Sequence, residues 1–91
     1  MTPSIQHQAD QHLFTTTVDG HQAYIDYHLD GSIMRVLHTI VPNAIGGRGI
    51  AGELTKFALE TARQQGWTVV PLCSYTASYL KRHPEYADLL A

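Results

Sequence analysis

The fold is decided by residues 41–57, which read VPNAIGGRGIAGELTKF. Pro42 cannot donate to a strand ladder, and the glycines that follow it let the backbone turn sharply. From Ile50 onward apolar residues recur at helical spacing, and Gly66 stands where a helix usually ends, which predicts a helix of about 17 residues. This stretch therefore predicts a strand that ends near Val41, a glycine-rich turn and a long helix.

Three strands joined by tight turns are predicted before this stretch. Residues 14–18 are rich in threonine, and residues 23–29 alternate between apolar and polar side chains with period two. The dipeptides Asp19-Gly20 and Asp30-Gly31 supply the positive φ angles of hairpin turns. Residues 33–41 predict a third strand, whose alternation places four side chains on one face: Met34, Val36, His38 and Ile40. Its other face is also apolar, which favours a central position in the sheet.

One more strand and two more helices are predicted after the long helix. Residues 68–72 form a short apolar run, and the helix before them is the crossover that parallel pairing requires. Residues 75–83 predict a second helix, and Pro84 suits the first turn of a last short one. The predicted order is β-β-β-α-β-α, a single compact α+β domain with a mostly antiparallel sheet. We place this domain at residues 13–91 and a flexible polar segment at residues 1–12.

The composition excludes several classes of protein. With 91 residues and a formal net charge of -2, the chain allows one domain and has too few cations for a nucleic-acid surface. The single cysteine, Cys73, cannot form an internal disulfide, which favours a reducing, cytoplasmic location. No apolar run approaches the roughly 20 residues that span a bilayer, so we expect no membrane association. We also expect a monomer or weak dimer, no metal site, and solvated side chains for His7 and His12.

The glycine-rich turn has the features of an anion site. The first amides of a helix have no partner within the helix and the helix dipole is positive at that end, so phosphate oxygens can dock there. A plain connection between strand and helix explains the same residues, and the loop alone leaves both interpretations open. Gly47, Gly49 and Gly52 spell GxGxxG, but no acidic residue between Glu60 and Glu85 is present to bind the ribose of a dinucleotide. Dinucleotide binding is therefore disfavoured.

Four segments taken together resemble a known family. They are HTIVP at residues 38–42, GRGIA at 47–51, VPLCSY at 70–75 and RHPEY at 82–86. In this order and at these separations they resemble the small YjdJ-like branch of the GNAT superfamily of N-acetyltransferases. The resemblance implies a GNAT-like fold, acetyl-CoA or coenzyme A as cofactor, and an amine acceptor that is a protein, a peptide or a small amine. Members of that branch often have Glu in place of Ile40 and a basic residue in place of Gly46, and the wider superfamily has Gln or Arg in place of Ala44.

The resemblance also implies the residues of the cofactor site. Loop amides of the family hold the pyrophosphate of acetyl-CoA, and the helix after the last strand lies along the cofactor. The residues at the matching positions of this chain are Val41, Gly46, Gly47, Arg48, Gly49, Ile50, Ala51, Ser74, Tyr79 and Arg82. A plain amphipathic helix explains Tyr79 and Arg82 equally well.

His38 and Cys73 are the candidate catalytic residues. An amine must lose its proton before it attacks an acyl group, and His38 can accept that proton. Cys73 precedes a helix, a position that lowers the pKa of a thiol and favours the thiolate needed for a covalent acyl intermediate. We expect the two side chains to face one cleft beside the glycine loop. A histidine on an apolar face and a free cysteine are also common core residues, so these interpretations stay open, as does direct transfer.

These patterns predict an acetyl-CoA-dependent N-acetyltransferase whose acceptor the sequence does not identify. One alternative is a non-catalytic module that binds CoA or acyl-CoA, and another is a partner-binding domain without a cofactor. Turnover with an amine would indicate the transferase, and binding of acetyl-CoA without turnover would indicate the CoA-binding module. No binding of acetyl-CoA would indicate the partner-binding domain.

Overall fold

The computed structural model describes residues 4–91, and its sheet has five strands. The strands are β1 (Gln6–Gln8), β2 (Leu13–Val18), β3 (His21–Asp30), β4 (Ile33–Ile40) and β5 (Thr68–Pro71). The helices are α1 (Ile50–Gln65) and α2 (Ser74–Arg82), with 3-10 segments at Ala9–Gln11, Asn43–Ile45 and Pro84–Leu89. The α+β class and the order β-β-β-α-β-α from residue 13 onward are confirmed. Within residues 4–91, no helix is long and apolar enough to cross a membrane.

The strands follow one another across the sheet in chain order, and β4 and β5 form its parallel pair. Helix α1 is the crossover between these two strands, as parallel pairing requires. Alternate residues of β3, among them Ile25 and Tyr27, are buried in one core with Leu54 and Leu59 of α1. We call the opposite side of the sheet, which carries Asp26 of β3, the outer face.

The prediction of a flexible segment at residues 1–12 is wrong in part. Residues 1–3 lie outside the described residues, but Gln6–Gln8 form β1, which pairs antiparallel with β2. His7 explains the ordering, because its ring stacks on Phe14 with the centroids 4.3 Å apart and its Nε2 lies 2.7 Å from the Tyr27 hydroxyl. The prediction that His7 is solvated is therefore also wrong. Its ring packs as an aromatic side chain at the edge of the core.

His7 makes the stability of the fold depend on pH. Burial, and secondarily the nearby His12, lowers the pKa of His7 below its usual value of 6.5. The unfolded chain therefore binds a proton at this ring more readily than the folded chain, so stability is full above that usual value and falls as the pH decreases below it. A His7→Phe variant keeps a stacked ring that cannot be protonated. We expect it to lose less unfolding free energy than the wild type between about pH 7.5 and pH 5.5.

Urea denaturation at the two pH values measures this difference. His28→Phe, which removes an exposed histidine from the outer face, is the matched control and should keep the wild-type dependence. If His7→Phe and the wild type lost stability equally on acidification, the role assigned to His7 would be wrong.

A β-bulge in β4 changes the side of the sheet on which the last side chains of this strand lie. Val36 lies opposite Tyr27 and His38 lies opposite Asp26, so Leu37 is one extra residue with no opposite partner. Because side chains along a strand alternate with period two, one extra residue moves every later side chain to the other face.

The bulge corrects the predicted faces of β4. The sequence pattern placed His38 and Ile40 on the same face as Met34, which is buried. In the structure His38 lies on the outer face, whereas Thr39 lies opposite the buried Ile25 on the helix side of the sheet. Thr39 therefore occupies the side on which His38 was predicted.

Strands β4 and β5 separate at the bulge. Their ladder ends where Val36 lies opposite Pro71. The Val36 carbonyl then accepts hydrogen bonds from the amides of both Leu72 and Cys73, and each N–O distance is 3.0 Å. The chain next enters α2, so among residues 4–91 the end of β4 has no strand on this side. The end of β4 therefore has an unpaired edge beside the start of α2, and we call this place the gap.

Candidate active site

The glycine-rich turn leads from β4 into α1 and presents bare backbone. Ile45 is fully buried and fixes the turn against the core. Gly47 and Gly49 follow with φ angles of 77° and 76°, in the left-handed region that glycine adopts without strain. A Cβ built at either position would meet no atom within 4 Å, so the space in front of both is open. The loop can therefore admit a ligand close to its backbone.

The amino-terminal end of α1 has no side-chain cap. Gly49 occupies the N-cap position, and the Glu53 amide donates a hydrogen bond to the Gly49 carbonyl over 3.1 Å. The amides of residues 50–52 precede this bond and extend from the helix end, where the helix dipole attracts negative charge. Ile50 is 4% exposed, so its amide rather than its side chain is available to a ligand. This is the backbone geometry that binds phosphate groups.

The remaining residues predicted in the loop differ in what they can offer. The Arg48 guanidinium donates a hydrogen bond to Asp19 in the turn between β2 and β3, with 2.5 Å between Nη1 and Oδ2. Both side chains are substantially exposed, and such pairs are weak, so Asp19 contributes little to holding Arg48 in place. Val41 packs partly buried against the core, and Gly46 has an extended backbone that leads into the left-handed Gly47.

Cys73 occupies the N-cap position of α2, beside the gap between β4 and this helix. Its thiol donates a hydrogen bond to Thr39 Oγ1, with 3.5 Å between sulfur and oxygen. Partial burial raises the pKa of the Cys73 thiol, but the Thr39 hydroxyl and the amides of Thr76 and Tyr75 can donate hydrogen bonds to the thiolate, and these bonds outweigh burial and leave this pKa below its usual value. The site therefore favours the thiolate, which is the reactive form of cysteine.

The buried hydroxyl of Thr76 adds to this environment. Thr76 is 1% exposed, and its Oγ1 has no hydrogen-bond partner of good geometry among the described residues. The hydroxyl nevertheless lies near enough to Cys73 to lower the pKa of the thiol. Because a hydroxyl can rotate, donation to a thiolate at Cys73 would satisfy both groups. Sequence analysis missed Thr39 and Thr76, since only the bulge and the start of α2 bring them to the sulfur.

His38 lies at the same end of β4 but on the outer face. Its Nδ1 is 3.0 Å from Asp26 Oδ1 and 3.1 Å from Asp26 Oδ2. The structure therefore does not bring His38 and Cys73 into one cleft from the same side, as the sequence predicted. The two side chains instead flank the gap from opposite faces of the sheet. Asp26 is a third residue that sequence analysis missed, because only the bulge reveals that it faces His38.

The first turns of α1 and α2 lie side by side. A Cβ built at Gly52 would be 3.4 Å from the Tyr75 hydroxyl oxygen and 4.0 Å from the Tyr79 ring. The uncapped start of α1 is therefore adjacent to the helix start that carries Cys73 and Ser74. These contacts are of ordinary van der Waals length, so Gly52 lies against the tyrosine side chains of α2.

Two predicted cofactor residues on α2 have partners within the protein. Tyr79 is 7% exposed and stacks on His83 with the ring centroids 4.0 Å apart, so its main contribution is packing. The exposed guanidinium of Arg82 lies 6.0 Å from the centroid of the Tyr75 ring and remains accessible to a charged ligand. In the part of the chain that the structure describes, no three His, Cys, Asp or Glu side chains are grouped to hold a metal ion.

Comparison with known proteins identifies the family. Residues 13–89 match the family described as GCN5-related N-acetyl-transferase. The chain belongs to this family. Protein NATD1 of Homo sapiens and Protein NATD1 of Gallus gallus are each 32% identical to this chain over 83 residues, which cover 88% of this chain and 74% and 76% of those proteins. The solution structure of a GCN5-like protein from Staphylococcus aureus superimposes with a TM-score of 0.77 at 25% identity, covering 99% of this chain and 89% of that chain.

The GCN5-related family membership confirms the resemblance to the GNAT superfamily, and the Staphylococcus aureus structure confirms the GNAT-like α+β fold. The YjdJ-like branch stays a prediction. The roles of Cys73, His38 and the loop residues likewise stay predictions.

Proposed function

We propose that this GCN5-related N-acetyltransferase transfers an acetyl group from acetyl-CoA to an amine. The observation that carries the proposal is the adjacency of two helix starts: the uncapped start of α1 and the start of α2, which holds the thiol of lowered pKa. The first suits the phosphates of a cofactor and the second suits a reactive sulfur. Acetyl-CoA, when bound, supplies an acetyl group that is activated as a thioester.

The loop backbone would hold the pyrophosphate of the cofactor. The amides from Gly47 to Ala51 would donate to its oxygens, and Arg48 would exchange Asp19 for a phosphate group. Arg82 would meet a further phosphate, while the buried Tyr79 would fix the position of α2. The full set that we assign to the cofactor site is Val41, Gly46, Gly47, Arg48, Gly49, Ile50, Ala51, Ser74, Tyr79 and Arg82.

Cys73 is the nucleophile in this proposal. Its thiolate attacks the carbonyl carbon of the bound acetyl group, the bond from that carbon to the cofactor sulfur breaks, and coenzyme A leaves as a thiolate that is protonated by water. The hydroxyls of Thr39 and Thr76 stabilise the Cys73 thiolate before attack. The lowered pKa of the thiol also makes Cys73 a better leaving group in the second step.

His38 is the general base for the acceptor. From the outer face, its Nε2 takes the proton that the acceptor ammonium must lose. The neutral nitrogen then attacks the acetyl carbonyl on Cys73 through the gap, the carbon–sulfur bond breaks, and the Cys73 thiolate is restored. The attacking nitrogen gives its second proton to water as the amide forms, and His38 returns its proton to solvent. His38 and Cys73 thus act from the two sides of the gap that they flank.

The acceptor in this proposal is an exposed amine on a protein, a peptide or a small amine. Cys73 is partly exposed and His38 is exposed, which suits an acceptor that offers a protruding amine. We place the reaction in the cytoplasm, because a reactive unpaired thiol needs a reducing compartment, and we expect a monomer or weak dimer.

An acetyl-transfer assay tests the proposed function. Purified protein is incubated with acetyl-CoA and a panel of amines (a polyamine, a lysine peptide and a folded protein), while a thiol reagent follows coenzyme A release and mass spectrometry follows the acetylated acceptor. We expect release of coenzyme A that depends on one of the amines and is matched by an acetylated product. Saturable binding of acetyl-CoA without turnover would instead indicate a non-catalytic CoA or acyl-CoA module. No binding would indicate a partner-binding domain.

A further inference from the structure

Asp26 faces His38 because of the bulge in β4. Across an antiparallel pair, residues directly opposite each other share a face and their side chains are near neighbours. If β4 paired with β3 without a bulge, Leu37 would lie opposite Asp26 and His38 would point to the helix side. With the bulge, both carboxylate oxygens of Asp26 lie within 3.1 Å of one ring nitrogen, Nδ1.

The next carboxylate along the outer face of β3 is engaged elsewhere. Asp30 Oδ2 accepts a hydrogen bond from the Arg35 guanidinium over 3.3 Å. The side chain of Asp26 is 32% exposed, whereas that of His38 is 64% exposed. The carboxylate therefore lies at the base of the pair and the imidazole extends towards solvent.

The contact determines which ring nitrogen of His38 is available. When Nδ1–H donates to a carboxylate, a neutral imidazole has its free electron pair on Nε2, the nitrogen turned away from that carboxylate. We propose that Asp26 is a positioning residue for His38: it holds the ring at the edge of the gap in the tautomer that can accept a proton from the acceptor amine. This inference rests on the proposed function, because it assigns Asp26 to the base of that reaction.

Substitution of Asp26 with asparagine tests the proposal. The amide keeps the size of the side chain but can donate to Nδ1, which favours the tautomer with its proton on Nε2. We expect Asp26→Asn to lower kcat/KM for the acceptor amine by about 10- to 100-fold and to leave kcat/KM for acetyl-CoA unchanged, because the acylation of Cys73 precedes the step that His38 serves. In a His38→Ala background the same substitution should have no further effect, because the two residues act as one unit.

The ¹⁵N shifts of the His38 ring report the tautomer whether or not the protein turns over. We expect the proton on Nδ1 in the wild type and on Nε2 in Asp26→Asn. Asp30→Asn is the matched control, since it removes an exposed carboxylate from the same strand face, and it should leave both the rate and the tautomer unchanged.

The outcomes separate this inference from the proposed function. A normal rate in His38→Ala would show that the base assigned above is wrong, and the tautomer would then decide alone whether Asp26 sets the ring. A tautomer that stays the same in Asp26→Asn, or a loss of rate that persists in the His38→Ala background, would overturn the positioning role of Asp26.

Discussion

Replacement of Cys73 with alanine should reduce the rate of amine acetylation by about 100-fold or more. The variant removes the sulfur that accepts the acetyl group, while Thr39 and Thr76 lose only a neighbour. Initial rates with saturating acetyl-CoA measure the loss. In the wild type, intact-mass measurement after incubation with acetyl-CoA and no amine should show one added acetyl group, located on Cys73.

Cys73→Ser separates the chemical role of the sulfur from its structural role. Serine is a better N-cap than cysteine, so this variant should fold at least as stably as the wild type. Its hydroxyl does not ionise near neutral pH, so acetyl transfer should remain as low as in Cys73→Ala. If Cys73→Ala acetylated amines at the wild-type rate, the acyl-cysteine route would be wrong and direct transfer from acetyl-CoA would replace it.

Substitution of Gly47 with glutamate should weaken the binding of acetyl-CoA by about 100-fold or more, which corresponds to roughly 2.7 kcal/mol. The new carboxylate would stand in the open space before the loop and repel the pyrophosphate that the α1 amides attract. The side chain also disfavours the positive φ angle of 77° and adds backbone strain of about 1 to 2 kcal/mol. Isothermal calorimetry measures the affinity.

Gly31→Glu is the control for charge and strain. Gly31 also has a positive φ angle, 60°, and a Cβ there would meet no atom within 4 Å. It lies in the turn before β4, whereas the glycine loop follows β4, so the added charge is remote from the proposed cofactor site. This variant should bind acetyl-CoA with wild-type affinity. Equal binding by Gly47→Glu and Gly31→Glu would contradict the phosphate role of the loop.

The fold from residue 13 onward could be predicted because its signals are local. Hairpin dipeptides at Asp19-Gly20 and Asp30-Gly31 fix the turns. Gly66, with a φ angle of 75°, ends α1 where the sequence indicated. Strand β1 escaped prediction because the contacts that hold it include the stack of His7 on Phe14 and its hydrogen bond with Tyr27, which no sequence pattern reveals.

The site was predicted less completely because one extra residue decides it. Residues 33–41 place apolar side chains on both faces of the predicted strand, so the sequence holds no signal for the bulge at Leu37. That bulge sends His38 to Asp26 and brings Thr39 to Cys73. The candidate nucleophile and base could therefore be named from the sequence, but their partners and their opposite faces could not.

The most direct test of the central claim is a titration of the wild-type protein with acetyl-CoA, followed by amide ¹H–¹⁵N NMR. The account predicts saturable shifts concentrated at the amides of residues 46–52 and 73–76, where the two helix starts lie side by side. Unchanged spectra at millimolar acetyl-CoA, or shifts confined to parts of the chain remote from α1 and α2, would contradict it.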